Sequence, residues 1–282
     1  MATKEIKVAD NVGRIDFAST VGVLAGPACI LVGQWMEGGE VSSLLQKSAA
    51  LMVLGATVGA CMLSFSPRYL FAAVRDLRKV ISEDAPNPYD LIERIVAYAS
   101  LMRREGPLAL QRHVRLEPYG MLATGLNLVA ASVAPEAMSV IMERAFHERI
   151  EHNNAGAEVF EAAGGYLPTF GILGAVLGLI HTMQMLSDPS KVGIGIATAF
   201  VATVYGVGLA NLVAYPVARK IRARARTEKQ LDKIVVTGIK ALRDGMSAVS
   251  LRQLLSEGLT PSTHSAVPVP APSTSEGEQS VA

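Results

Sequence analysis

Few side chains in this sequence are equipped for chemistry, and its most apolar stretches narrow the choice further. Across Ala162–Ser187 and Val192–Ala218 there is no Asp, Glu, Lys or Arg. His181 is the one imidazole there, and the hydroxyls include Thr182 and Thr203. At helical spacing, Pro168, Gly171, Ala175, Gly178 and Thr182 fall on one face of the first stretch. Ala199, Thr203, Gly206, Ala210 and Ala214 repeat that face in the second. Faces of small residues let helix backbones approach closely in a membrane. Taken alone, they fit tight packing between two helices of one chain as well as they fit a wall around a foreign helix. A threonine inside a membrane usually bonds back to its own helix, so Thr203 needs a further reason to be singled out. His181 lies off the small face beside Ile180, one turn from the end of its stretch, which favours a packing or interfacial role.

Other chemistries are absent from the pattern. There is no glycine-rich phosphate loop, no nucleophile elbow and no pair of carboxylates in an apolar run, so the sequence predicts no enzyme. In HERIEHN, His147 and His152 are five apart rather than four, which reads as a solvated helix and not a metal site. Cys29 and Cys61 both sit in apolar runs and read as small packing residues. A net charge of +1 gives no argument for a nucleic-acid partner.

The elements that carry these faces follow from where charge is missing. Only 18% of the 282 residues are charged, against about a quarter in ordinary soluble domains. Four uncharged windows, Phe17–Met36, Ser48–Pro67, Ala162–Ser187 and Val192–Ala218, each reach the ~20 residues needed to cross a bilayer. The reading is an all-α polytopic membrane protein with four transmembrane helices and a helical cytoplasmic domain. A cleaved signal peptide is rejected for the first window, because its leader is long and mixed in charge and no small-x-small site ends it. Lys and Arg number three before the first window, one in each of the two short links, eleven between the second and third windows, and ten after the fourth. The positive-inside rule then puts both termini and the long middle segment in the cytoplasm.

Along the chain this gives a cytoplasmic segment 1–17, spans one and two within 18–66, a cytoplasmic helical domain 67–163, spans three and four within 164–218, a C-terminal helix 219–260 and a disordered Pro/Ser/Thr-rich tail 261–282. Leu70, Val74, Leu77 and Ile81 keep helical spacing, so the second span is expected to continue past the membrane. APNPYD breaks that helix. A new helix follows, with Asp90 and Glu93 near its start, and Gly106–Pro107 ends it. No strand is called for.

The segments PTFGILGAVLGLIH and FVATVYG, the four spans and the long segment between spans two and three resemble the MotA family, the A subunits of bacterial flagellar stators, within the MotA/TolQ/ExbB proton channel superfamily. The resemblance covers nearly the whole chain apart from the tail. It implies a bacterial inner-membrane protein in which five A subunits surround two MotB-type B subunits bearing a peptidoglycan-binding domain. Ion flow turns the A ring, and the cytoplasmic domain drives the rotor protein FliG. The small faces, with Thr203, Ala175, Gly178, Thr182, Ala199 and Gly206, then become an ion-channel wall, and the carboxylate missing here belongs to the B subunit. Thr203 matches a threonine beside that carboxylate. Pro168 and Pro216 match prolines associated with torque generation. Arg103, with Arg104 and Glu105, matches the rotor-facing strip, while Gln111 stands where the family has a glutamate and cannot form an ion pair. Sodium-driven relatives carry extra threonines where this chain has Ala202 and Ala175, so the expected ion is H+, with no cofactor and no metal. Membrane lipid is the other expected partner. Two alternatives remain: an ExbB/TolQ-like energising subunit for another envelope process, and a non-conducting membrane scaffold.

Overall fold

Each uncharged window forms helix in a computed structural model, which describes residues 14–15, 17–83, 86–185, 187 and 189–257. Most of segment 1–17 and the tail 261–282, expected to be disordered, lie outside the described residues. In chain order the helices are α1 (Phe17–Met36), α2 (Lys47–Ala50), α3 (Ala56–Ser64), α4 (Pro67–Ile81), α5 (Pro88–Glu105), α6 (Gln111–Val114), α7 (Gly120–Ala130), α8 (Pro135–Gln184), α9 (Pro189–Leu209), α10 (Tyr215–Arg243) and α11 (Ala248–Glu257). A π-helical turn, Leu51–Gly55, fuses α2 to α3, and a second, Ala210–Ala214, fuses α9 to α10. The one strand pairing among the described residues is a two-residue antiparallel contact, Arg14–Ile15 with Ser82–Glu83.

Among the described residues three helices are long and apolar enough to cross a membrane: Val41–Ser64, Pro135–Gln184 and Val192–Arg243. α1 is helical over 20 residues, with Pro27 inside it, but its described apolar stretch, Val21–Met36, is shorter. It approaches the fourth apolar window at Gly26, where a Cβ would stand 3.0 Å from Leu212 in the second π turn.

The expected continuation of the second span does not occur. Helix ends at Ser64, Phe65 is extended (φ −125°, ψ 143°), and α4 starts afresh with Pro67 at its first position. Proline disfavours helical geometry in the residue before it and suits the first turn of a new helix, so the chain turns here. The third window does the opposite. Pro168 lies inside α8, which runs unbroken for 50 residues, about 75 Å at 1.5 Å per residue. The boundary drawn at 163/164 therefore falls within one continuous helix. The one drawn at 218/219 likewise falls inside α10.

Away from the apolar windows, α5, α7, the first turns of α8, the end of α10 and α11 enclose one core, with Leu91, Ile95, Leu122, Leu126, Met138, Met142, Ile239, Leu242 and Leu251 among its buried members. Local sequence explains the edges of α5. Asn87 caps it by accepting a 3.0 Å hydrogen bond from the Tyr89 amide, with Pro88 at the first position. Gly106 ends it at φ +83°, where a side chain would be strained. Pro107–Leu110 then forms a 3-10 turn leading into α6.

Candidate functional site

The small faces of α8 and α9 meet each other. A Cβ at Gly171 would lie 3.1 Å from both the Ala202 carbonyl oxygen and Gly206 Cα. One at Gly174 would lie 3.0 Å from Ala202 Cβ, and one at Gly178 3.0 Å from Ala199 Cβ. At Gly206 it would stand 2.6 Å from the Leu167 carbonyl oxygen, and at Gly195 2.1 Å from Thr182 Oγ1. The seam thus runs as a zipper, 206 and 202 against 171 and 174, then 199 against 178, then 195 against 182. Gly178, Thr182, Ala199 and Gly206 are buried within it. Close packing of two helices of one chain accounts for these four residues, with attraction coming from dense van der Waals contact rather than from hydrophobicity. Ala49 and Val53 of the second apolar window close its back, beside Leu167, Val201 and Ala202.

Thr203, Ala175 and Pro168 are only half-buried, and Pro216 is exposed. Thr57, Thr182 and Thr198 each donate to the carbonyl four residues back, at 2.7, 2.9 and 2.9 Å, and Thr169 donates to Tyr166 O at 2.7 Å. Thr203 has no such bond: among the described residues its hydroxyl meets no hydrogen-bond partner. Two residues on, Tyr205 ties the second window to the fourth, donating from its hydroxyl to Leu44 O and accepting from the Gln46 amide at 3.3 Å. The two bonds satisfy irregular backbone in the link just before the second window. His181 is exposed. The second π turn lies immediately before Pro216, whose missing N–H leaves one carbonyl of the preceding turn without its usual donor.

At the opposite end, Arg103, Arg104 and Glu105 form the exposed last turn of α5, and Gln111 opens α6, also exposed. Glu105 is engaged by Arg112 at 3.3 Å. Glu105, Leu108, Gln111, Arg112, Arg115 and Asn127 line a groove of about 780 Å³. The elbow Gly106–Leu110 brings the two halves of this strip together.

Between the two ends lies a polar network that sequence reasoning missed. Arg94 pairs with Glu117, and both are buried. Glu117 also accepts from the Tyr98 hydroxyl and the Tyr119 amide, each at 3.0 Å. The Tyr119 hydroxyl donates to Asp232 at 2.7 Å, Arg149 Nε donates to the same carboxylate at 3.0 Å, and the Arg149 guanidinium stands 5.5 Å from the Tyr119 ring centroid. Burial, then Glu117, pushes the Tyr98 phenol up; burial, then its bond to Asp232, pushes Tyr119 up. Both phenols therefore remain neutral donors. Burial pulls Arg149 down, but the charge and hydrogen bond of Asp232 more than offset it, so Arg149 is raised overall. Residues 94, 117, 149 and 232 share no local spacing; the only hint was Arg149 within HERIEHN.

A helix pair zipped by glycines through an apolar window, continued into a charged helical domain, defines a protein of the integral-membrane class. Two family profiles divide this chain between them: Motility protein A N-terminal over residues 20–106, and the MotA/TolQ/ExbB proton channel family over residues 117–234. Together the two matches take in most of the chain, which is thus similar to proteins of the MotA/TolQ/ExbB proton channel family. It is 27% identical over 242 residues to Motility protein A of Bacillus subtilis (strain 168), covering 86% of this chain and 90% of that one. It is 26% identical over 233 residues to Chemotaxis protein PomA of Vibrio alginolyticus, covering 83% and 91%. Its fold matches a chain in the structure of C. jejuni MotAB with a TM-score of 0.79 at 25% identity, over 88% of this chain and 97% of the other. It matches the flagellar MotAB stator complex from Bacillus subtilis with a TM-score of 0.77 at 26% identity, over 87% and 96%.

Proposed function

We propose that this chain is the A subunit of a flagellar stator, which joins a MotB-type B subunit in a proton-conducting complex of the bacterial inner membrane and turns ion-motive force into torque on the rotor protein FliG. The two family matches and the likeness to MotAB stator chains support the class of function. The observation that carries the mechanism is the Thr203 hydroxyl, the one threonine of the α8–α9 seam whose side chain spends no bond on its own helix. In this reading four helices span the membrane, both termini are cytoplasmic, and five A subunits enclose two B subunits. Thr203 and Ala175, half-open beside the seam, face the carboxylate of the B subunit. Gly178, Thr182, Ala199 and Gly206 back that wall by holding α8 and α9 together. A carboxylate that cycles between charged and protonated forms needs few ligands, whereas a dehydrated sodium ion needs several hard oxygens. With Ala175 and Ala202 in place of hydroxyls, the ion is H+. Pro168 and Pro216 act as conformational elements, the latter beside a π turn that can change register. Arg103, Arg104, Glu105 and Gln111 face the rotor.

The test is proton flux through the chain co-expressed with a B subunit whose plug is deleted, together with restored swimming in cells that lack every stator. Replacing Thr203 by Val keeps the shape and removes the hydroxyl. Flux should fall about tenfold, the scale of one hydrogen bond to a charged group, while Thr203→Ser stays near the parent. A wild-type complex that passes no protons, or a Thr203→Val complex as conductive as the parent, defeats the proposal.

A further inference from the structure

The fourth apolar window and α10 form one continuous helix, Val192–Arg243, whose outward side changes character along its length. Before the second π turn that side exposes Phe200, Val204 and Val207. After it, Arg219, Arg226, Lys229 and Lys233 are exposed. A π turn holds one residue more than an α turn. Allowing for that residue at 100° per step, all four cations fall within about 60° of Thr203 viewed down the helix. The face that Thr203 borders therefore runs on as a cationic stripe.

Neighbouring cations of α10 are already engaged. Arg222 pairs with Glu161, and Arg224 with Glu228 at 3.4 Å. Glu228 also accepts from Asn153, and Asp232 is buried with Arg149 and Tyr119 as its partners. Among the described residues none of Arg219, Arg226, Lys229 and Lys233 has an ion-pair partner. Four like charges on one exposed strip repel one another, and an anion from outside relieves that repulsion. Depth decides which anion. Arg219 is the first residue past the uncharged window, and Lys233 follows 14 residues on, about 21 Å along the helix. A headgroup layer is about 5–8 Å thick, so lipid phosphate reaches Arg219 but falls short of Lys229 and Lys233. Cations spread over that length suit an extended chain carrying several carboxylates better than one small anion.

We propose that this stripe receives an acidic segment of the B subunit, the part that leads from the cytoplasm into its membrane span. The inference rests on the A-subunit reading given above, in which the B helix stands against Thr203. The peptidoglycan-binding domain then lies across the membrane, and whatever precedes the B helix passes along the stripe. For the test, the complex is purified whole with its native B subunit and treated with a water-soluble carbodiimide. The reagent joins a lysine amine to a touching carboxylate as an amide and takes up the water released. Lys240 and Glu143, 3.2 Å apart, supply an internal control within the chain. Lys229 and Lys233 should form amides with Asp or Glu residues that precede the span of the B subunit. Arg219→Glu combined with Arg226→Glu leaves both lysines in place and should cut the yield of those amides about tenfold, because like charges then face the segment. A control amide at parental yield shows that the variant is folded; where it falls, Arg226→Glu alone carries the test. A control amide with none from Lys229 or Lys233 to the B subunit overturns the proposal. So does reaction of these lysines only with a second copy of the chain, or only with Glu276 and Glu278 of its own tail. An unchanged yield in the charge-reversed variant overturns it too. A B subunit that does not copurify with the chain at all defeats the A-subunit reading, and this inference with it.

Discussion

Gly206 has no room for even one more carbon. A Cβ there would stand 2.6 Å from the Leu167 carbonyl oxygen and 2.9 Å from Gly171 Cα, backbone atoms that cannot swing aside. Gly208, one turn-half away on the same helix, has nothing within 4 Å. Gly206→Ala should therefore force α8 and α9 apart and cost about 1–3 kcal/mol, the usual range for overpacking. Gly208→Ala should be neutral or stabilising by about 0.5–1 kcal/mol, because alanine loses less backbone freedom in a helix than glycine. Thermal midpoints in detergent compare the two; equal effects would mean that the seam is not what these glycines serve. Both glycines are equally plain in the sequence. Which of them is irreplaceable depends on the opposing helix, and that is not encoded in the spacing of one face.

At the scale of elements, α11 offers a pH-dependent contact. Arg252 grips Glu93 of α5 through two hydrogen bonds of 2.7 Å, while Leu251 and Leu255 bury themselves in the core. The hydrogen bond from Arg252, reinforced by its charge and opposed by slight burial, holds the Glu93 carboxyl below its ordinary value of 4.5. A folded-state value below the unfolded one gives stability that is complete above pH 4.5 and lost as pH falls through the depressed value. Both side chains are more than half exposed, so solvent screens the pair and the effect is small. Amide protection across α11, corrected for intrinsic exchange, should decline modestly below pH 4.5 and α11 should stay docked through its leucines. Arg252→Gln should abolish the pH dependence; a variant that keeps it would assign the effect elsewhere. The limits of α5 were legible because Asn87, Pro88 and Gly106 act locally. The bend before α4 was not, although Pro67 announced it, because Leu70, Val74 and Leu77 keep a helical phase that hides the extended Phe65. Pro168 makes no such break: it sits well inside α8, where one lost donor does not outweigh 50 residues of helix. The helical character of the charge gaps was legible, and three of the four hold a helix long and apolar enough to cross a membrane among the described residues, whereas the zipper, the Tyr205 tie and the Asp232 network are contacts over long separations that no window of sequence contains.

For the whole molecule, α8 and α10 are the two members that pass from the apolar seam into the charged helical domain, and they are fastened at successive levels. Gly164 lets the Tyr215 ring lie against α8, Glu161 pairs with Arg222, Asn153 donates to Glu228 at 2.6 Å, and Arg149 meets Asp232. The last of these also reaches Tyr119 and so ties the pair to the domain that carries Arg103 and Gln111. Motion at the seam can reach that surface only if the fastened pair moves as one body. Removing a buried charge from one level should therefore uncouple the ends without closing the membrane path. Asp232→Ala leaves Arg149 and the Tyr119 hydroxyl without their acceptor in a mostly buried place, a loss of about 3 kcal/mol, at the low end for broken buried pairs because Arg149 is about a third exposed. Asp232→Asn keeps an acceptor for Tyr119 and should lose less. In cells carrying the complex, torque measured on tethered bacteria should drop with Asp232→Ala and recover partly with Asp232→Asn. Proton flux through the unplugged complex should stay near wild type in both, since the seam from Leu167 to Thr182 is untouched. Flux that falls in step with torque would show that the cytoplasmic network shapes the membrane path itself, and the separation of conduction from transmission would have to be abandoned.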